Sequence, residues 1–201
     1  MAETNNIAPL TRIAAPRAAD LCETLDLSEE GRAQLTDDMP PALFVERLIA
    51  GQHYVDAIIF LSHALPKRQA TWWACLAARR DGPMSNPARV TLEAAEQWVM
   101  KPSDENGRKA MEAALDSGVD TPAGMAAIAA FCSGGSLTPE GFATVAPDAK
   151  ATGQTVFGAI LNSAFSDRSP DASVRALKEL LAQGLDLARG GSGKLATESA
   201  E

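Results

Sequence analysis

Apolar residues recur along this chain at intervals of three and four, and nearly every run is closed by proline, glycine or a small hydroxyl residue. Such a period places one face of a helix against a core. After an aperiodic stretch of residues 1–15, short helices are expected over Ala18–Leu25 and Ser28–Leu35, with Ser28 as the N-cap ahead of Glu29 and Glu30. Pro40-Pro41 opens a clearer helix whose stripe is Leu43, Phe44, Leu48 and Ile49, closed by Gly51. Gln52–Leu65 continues with Tyr54, Val55, Ile58, Ile59, Ser62 and Leu65 in phase. Pro66 cannot extend that helix but can begin the next, which forces a corner at Leu65-Pro66.

The helix after the corner is unlike the others. From Ala70 to Ala78 every position except Thr71 is apolar, and a helix apolar all round is a buried one. Trp72 and Trp73 leave it about 100° apart, toward different neighbours. With Cys75 and Leu76, and Trp98 from the following helix, they are the expected core. Gly82-Pro83 ends this segment, Asn86-Pro87 begins a helix to about Met100, Ser103 caps one ending at Ser117-Gly118, and Thr121-Pro122 begins one ending at Gly134-Gly135. An irregular connection over 136–150 carries Phe142, Val145 and Pro147. Helices then resume over Ala151–Phe165 and from Ser169-Pro170 to Gln183, where Gly184-Leu185-Asp186 repeats the exit of Gly118-Val119-Asp120.

The expected architecture is all-α: about eight to ten short helices around a central tryptophan-bearing one. Residues 1–15 form a loose arm, 16–188 one helical domain and 189–201 a small, polar, mobile tail. Composition narrows the function classes. A formal net charge of −8 over 201 residues opposes general nucleic-acid binding, which needs a basic field. No apolar run is long enough for a membrane span, and the N-terminus lacks the basic-then-apolar order of a secretory signal. Three scattered cysteines form neither a disulfide framework nor a zinc pattern, and a reducing cytoplasm is the expected location.

Candidate chemistry is sparse. His53 and His63 stand ten residues apart on one helix, about 15 Å at 1.5 Å per residue, too far to share a metal ion. His63 with Cys75 would make a base and a thiol, yet Cys75 lies among Trp72, Ala74, Leu76 and Ala78, where a thiol is inert. Gly193-Lys194 is similar to the end of a phosphate-binding loop, but Ala188 stands at the first glycine, Leu195 replaces the Ser/Thr and no strand precedes it. No catalytic residue, metal ligand or cofactor is therefore assigned.

The charges flanking the tryptophans are more informative. Arg79 and Arg80 occupy the last turn of their helix, where the dipole favours cations. Lys67 and Arg68 occupy the first turn, where it opposes them, so they need a compensating group. Asp56, Glu93 and Glu96 are the acids within the expected reach, and an acidic partner surface is the alternative. Lys67, Arg68, Arg79, Arg80 and Phe142 are thus the candidate partner contacts. A pocket near His63, Arg68 and Trp72 is the second possibility, for a small-molecule binder or an enzyme.

The segments HALPKRQATWWACLAAR, LEAAEQWVMKPSDENGRKAMEAA and DTPAGMAAIAAFCSGGSL together resemble a bacterial domain family of unknown function, over roughly residues 40–190. The marks are His63, Pro66, Arg68, Trp72, Trp73, Trp98, the Pro122-Ala-Gly124 turn and Ser133-Gly134-Gly135. The resemblance implies a setting in type VI secretion gene neighbourhoods that encode adaptor and spike-tip proteins. It carries no established activity, so no catalytic residue follows from it. The expected function is a non-enzymatic, cytoplasmic interaction module, an accessory or adaptor whose protein partners are secretion-system spike, adaptor or effector components, with no nucleic acid and no membrane insertion.

Overall fold

A computed structural model describes residues 8–80, 82–139, 141–166 and 169–195. They form ten helices and, among the described residues, no strand: α1 Ala19–Cys22, α2 Glu29–Ala33, α3 Pro41–Ala50, α4 Tyr54–Ala64, α5 Lys67–Arg80, α6 Asn86–Met100, α7 Asp104–Ser117, α8 Pro122–Cys132, α9 Ala151–Ala164 and α10 Pro170–Ala188. The hydroxyl caps act as expected. Ser28, Ser103 and Thr121 accept from the amides of Gly31, Asn106 and Gly124, and Ser85 does the same for Ala88 ahead of α6. α1 is shorter than its apolar pattern, and α4 begins at Tyr54 because Gln52 turns the chain with φ +62°.

α5 runs through the middle, packed on α4, α6, α8, α9 and α10. Ala70, Thr71 and every residue from Trp73 to Ala78 are buried. α4 is as enclosed, with an unbroken buried run from Asp56 to Ser62, although its sequence shows only a one-sided stripe. Asp56 is tolerated there because the Ser28 amide and hydroxyl donate to its two carboxylate oxygens at 2.7 and 2.8 Å. Around this pair, α7, α8 and α9 pack through alanines, including Ala110, Ala114, Ala126, Ala127, Ala130 and Ala159, all fully buried, so their backbones approach closely.

Gly184 does not end its helix. α10 continues to Ala188, and the glycine is instead a notch for Trp73, since a Cβ there would lie 2.5 Å from the indole Cζ2. The same indole donates from Nε1 to the Leu180 carbonyl at 2.8 Å, so ring and helix are fitted to one another. The exit resembling Gly118-Val119-Asp120 is thus a packing contact read as a cap.

Both chain ends, where described, are tied together. The Arg12 amide donates to the Ala188 carbonyl at 2.9 Å, and its guanidinium donates to the carbonyls of Leu187, Gly190 and Gly191. Leu10 is buried beside this clamp. Gly191 and Gly193 donate their amides to the carbonyl and carboxylate of Asp186. Residues 8–13 and 190–194 therefore close over the end of α10, although their sequences have the composition of an arm and a tail. Residues 1–7 and 196–201, which belong to the same two expectations, lie outside the described residues.

Candidate groove at the tryptophan helix

The four basic residues of α5 have separate fates. Arg79 makes a two-point pair with Glu96, Nε and Nη2 each 2.6 Å from a carboxylate oxygen. Arg80 reaches Glu179 at 3.4 Å and the Ser163 carbonyl at 3.3 Å. The C-terminal pair is thus bound to acids of the same chain. Lys67 and Arg68 are exposed at the other end. None of the three acids expected to compensate them does so in the contacts it makes: Asp56 takes Ser28, Glu93 takes Arg89, and Glu96 takes Arg79. Instead Arg68 donates from Nε to the Val99 carbonyl at 2.6 Å, in the last turn of α6. The negative end of that helix supplies the compensation, as a partial charge where a carboxylate was expected.

Trp72 diverges from its neighbour. Expected inside the core, it is only half-buried. Its Nε1 donates to the Ser192 carbonyl at 2.7 Å, and Lys194 Nζ stands 5.6 Å from its ring centroid. Around it opens a groove of about 430 Å³ lined by Arg12, Arg68, Gln69, Trp72, Val99, Met100, Leu187 and the 191–194 segment. Met100 is 74% exposed at its rim. The ends of α6 and α10 both meet here, and Arg68 and Arg12 satisfy their terminal carbonyls. The lining holds three cations and no carboxylate.

His63 is elsewhere. It lines a separate cavity of about 40 Å³ with Ser62, Lys67, Thr152 and Gly153, so the structure does not join it to Arg68 and Trp72. Its Nδ1 is 2.9 Å from the Ile59 carbonyl and 3.2 Å from Ser62 Oγ, and its ring lies so close to Gly153 that a Cβ there would be 2.5 Å from Cδ2. Burial holds its pKa below the ordinary imidazole value, helped by Lys150 and opposed by the Ile59 bond. Cys75 is wholly buried, and desolvation pushes its thiol far up, which keeps it unreactive; Cys22 is pushed up to about 11 by the same cause. Trp73, Leu76 and Trp98 are buried as expected. Among the described residues no three His, Cys, Asp or Glu side chains come together as metal ligands.

Phe142 is 72% exposed, on a loop braced by Leu137 N–H to Val145 O and by Arg108 on the Thr138 carbonyl. It borders a polar depression with Asp104, Glu105 and Arg108, far less apolar in its lining residues than the Trp72 groove. Arg12 and Met100 are groove residues with no functional mark in the sequence, and Lys194 has there only the failed likeness to a phosphate loop. Arg68 and Trp72 share a helix face at a spacing of four, which is the one local mark of the site.

The class defined here is an all-α bundle with a cationic, tryptophan-floored groove where two helix C-termini converge, and among the described residues no helix is long and apolar enough to cross a membrane. Residues 44–188, more than half of the chain, match a family of unknown function, DUF6931, and the chain belongs to that family. No curated protein and no solved structure matches it.

Proposed function

We propose that this chain is a non-enzymatic interaction module that holds a segment of a protein partner in the Trp72 groove, acting as a cytoplasmic accessory or adaptor of a type VI secretion apparatus. The observation that carries the interaction reading is the groove itself. A half-buried tryptophan, an exposed methionine and three cations surround an open trough with no His, Cys, Asp or Glu in its lining. Tryptophan and arginine at a partly desolvated site are the residues that concentrate binding energy. The secretion setting rests on the resemblance of the HALPKRQATWWAC segment and its companions, and the spike, adaptor or effector proteins of that apparatus are the proposed partners.

Affinity capture from the protein's native cells, read by mass spectrometry, tests both parts. The wild-type chain should recover secretion-apparatus components, and Met100→Glu, which changes the groove rim without touching the core, should lose them. Recovery without any secretion component refutes the setting. Equal recovery by wild type and Met100→Glu refutes the groove.

A further inference from the structure

We infer that the segment held by the groove is acidic, a peptide bearing carboxylates around one apolar side chain; this rests on the interaction reading above and specifies its partner chemistry. The chain as a whole is acidic, at −8, yet Arg12, Arg68 and Lys194 gather here with no carboxylate in the lining. Five cations elsewhere are spent on acids, Arg17 on Asp20, Arg79 on Glu96, Arg80 on Glu179, Arg89 on Glu93 and Lys109 on Glu105, while Arg47, Arg108 and Lys150 meet backbone carbonyls, each apart from the others. The groove cations meet backbone carbonyls and an aromatic face. Asp186, which is not in the lining, accepts from the Gly193 amide at 2.8 Å.

Helix C-termini offset their arginines by roughly half a charge, so a positive surplus remains. Arg68 is bonded through Nε alone among the described residues, which leaves both Nη groups for a carboxylate. Met100 and Val99 beside Trp72 give an apolar side chain a place to lie between the charges, and the methionine can adapt to its shape. About 430 Å³ accommodates a few side chains of an extended segment. A phosphate cluster fits less well. Phosphates favour helix N-termini and turned-in amides, whereas two of the three helices at this groove, α6 and α10, end in it, and α5 enters its lining with the side chains of Arg68, Gln69 and Trp72. Carboxylates spaced along a peptide meet the cations one at a time, and the peptide's own N–H groups find acceptors on the carbonyl-rich rim.

A random-peptide phage library panned on the full chain tests this, with selected peptides synthesised and titrated by fluorescence anisotropy and by intrinsic tryptophan emission. Trp73 and Trp98 are buried, so a binding-induced change in emission reports chiefly on Trp72. Selected sequences should be rich in Asp and Glu around one apolar residue. Their Kd should rise about tenfold or more for R68E/K194E and for peptides with Asn and Gln in place of the acids. It should also rise several-fold between about 50 and about 500 mM NaCl. The amide peptides leave the protein unaltered, so they decide the matter even if R68E/K194E folds poorly. Peptides that Met100→Ala weakens but that show no acidic bias overturn the acidic inference and leave the interaction reading standing. Peptides indifferent to Met100→Ala, or none selected, overturn both. A tryptophan response to inorganic phosphate or ATP, with none to acidic peptides, overturns this inference in favour of a small-anion site.

Discussion

Trp72 and Trp73 are adjacent, and each donates its indole N–H to a backbone carbonyl of the chain's C-terminal part, at 2.7 and 2.8 Å. The likeness ends there. Trp73 is fully buried, its acceptor lies inside α10, and a glycine notch is cut to its outline. Trp72 is half-buried, its acceptor belongs to a segment beyond α10, and a lysine stands over its ring beside an open groove. One rotation of about 100° along a helix thus separates a core residue from a surface one. Identical local chemistry serves packing on one side and leaves a binding surface on the other.

Substitution should break this comparison unequally. Trp73→Ala empties a closed site and should cost about 3–5 kcal/mol of stability, measured by denaturant unfolding. Trp72→Ala removes a half-buried ring and one hydrogen bond to an exposed segment, and should cost roughly 1–2 kcal/mol. Equal losses would mean that Trp72 belongs to the core and that the groove is incidental.

How far these roles were legible follows from the range of each contact. Helix positions, caps and the burial of Ala70–Ala78 are properties of consecutive residues, and the apolar period exposes them. The enclosure of α4 depends on partners supplied by α1, α3, α9 and α10, and a stripe of apolar residues cannot count them. Gly184 has the composition of a cap because glycine serves both caps and close approaches, and only Trp73, far away in the chain, decides between them. Arg12 is held by backbone carbonyls, groups every residue carries, so no pattern of side chains announces its place. Likewise the compensation of Arg68 comes from a helix end, which has no residue type at all.

The two ends of α5 extend the comparison with smaller effects. Arg79 has a two-point carboxylate partner but is half-exposed, so Arg79→Ala should cost less than about 1 kcal/mol. Arg68→Ala should cost about 0.5 kcal/mol, the loss of one favourable contact at a helix C-terminus. The separation appears in binding: Arg68→Ala should weaken a groove-bound peptide while Arg79→Ala leaves it unchanged, measured by anisotropy with both proteins shown folded by circular dichroism. Matching effects on binding would place the peptide on a general basic face and not in the groove.

The finest test concerns His63, which stands at the same end of α5 as the groove but in its own small cavity. Burial lowers its pKa from the ordinary value of 6.5, and the charges facing it, Lys67 in the cavity wall and Lys150, are both positive. The folded chain therefore takes up this proton less readily than the unfolded chain. The stability it protects is fully present above the ordinary imidazole pKa. It is lost as pH falls through that range toward the lower folded value, and the loss levels off once both states are protonated. Unfolding free energy measured from about pH 7.5 down to about pH 5.5 should fall for the wild type and be flatter for His63→Asn. That variant keeps a donor where Nδ1 faces the Ile59 carbonyl and carries no titrating ring. Parallel slopes would show that the imidazole is protonated as easily in the fold as outside it, and that burial in its cavity does not oppose the charge.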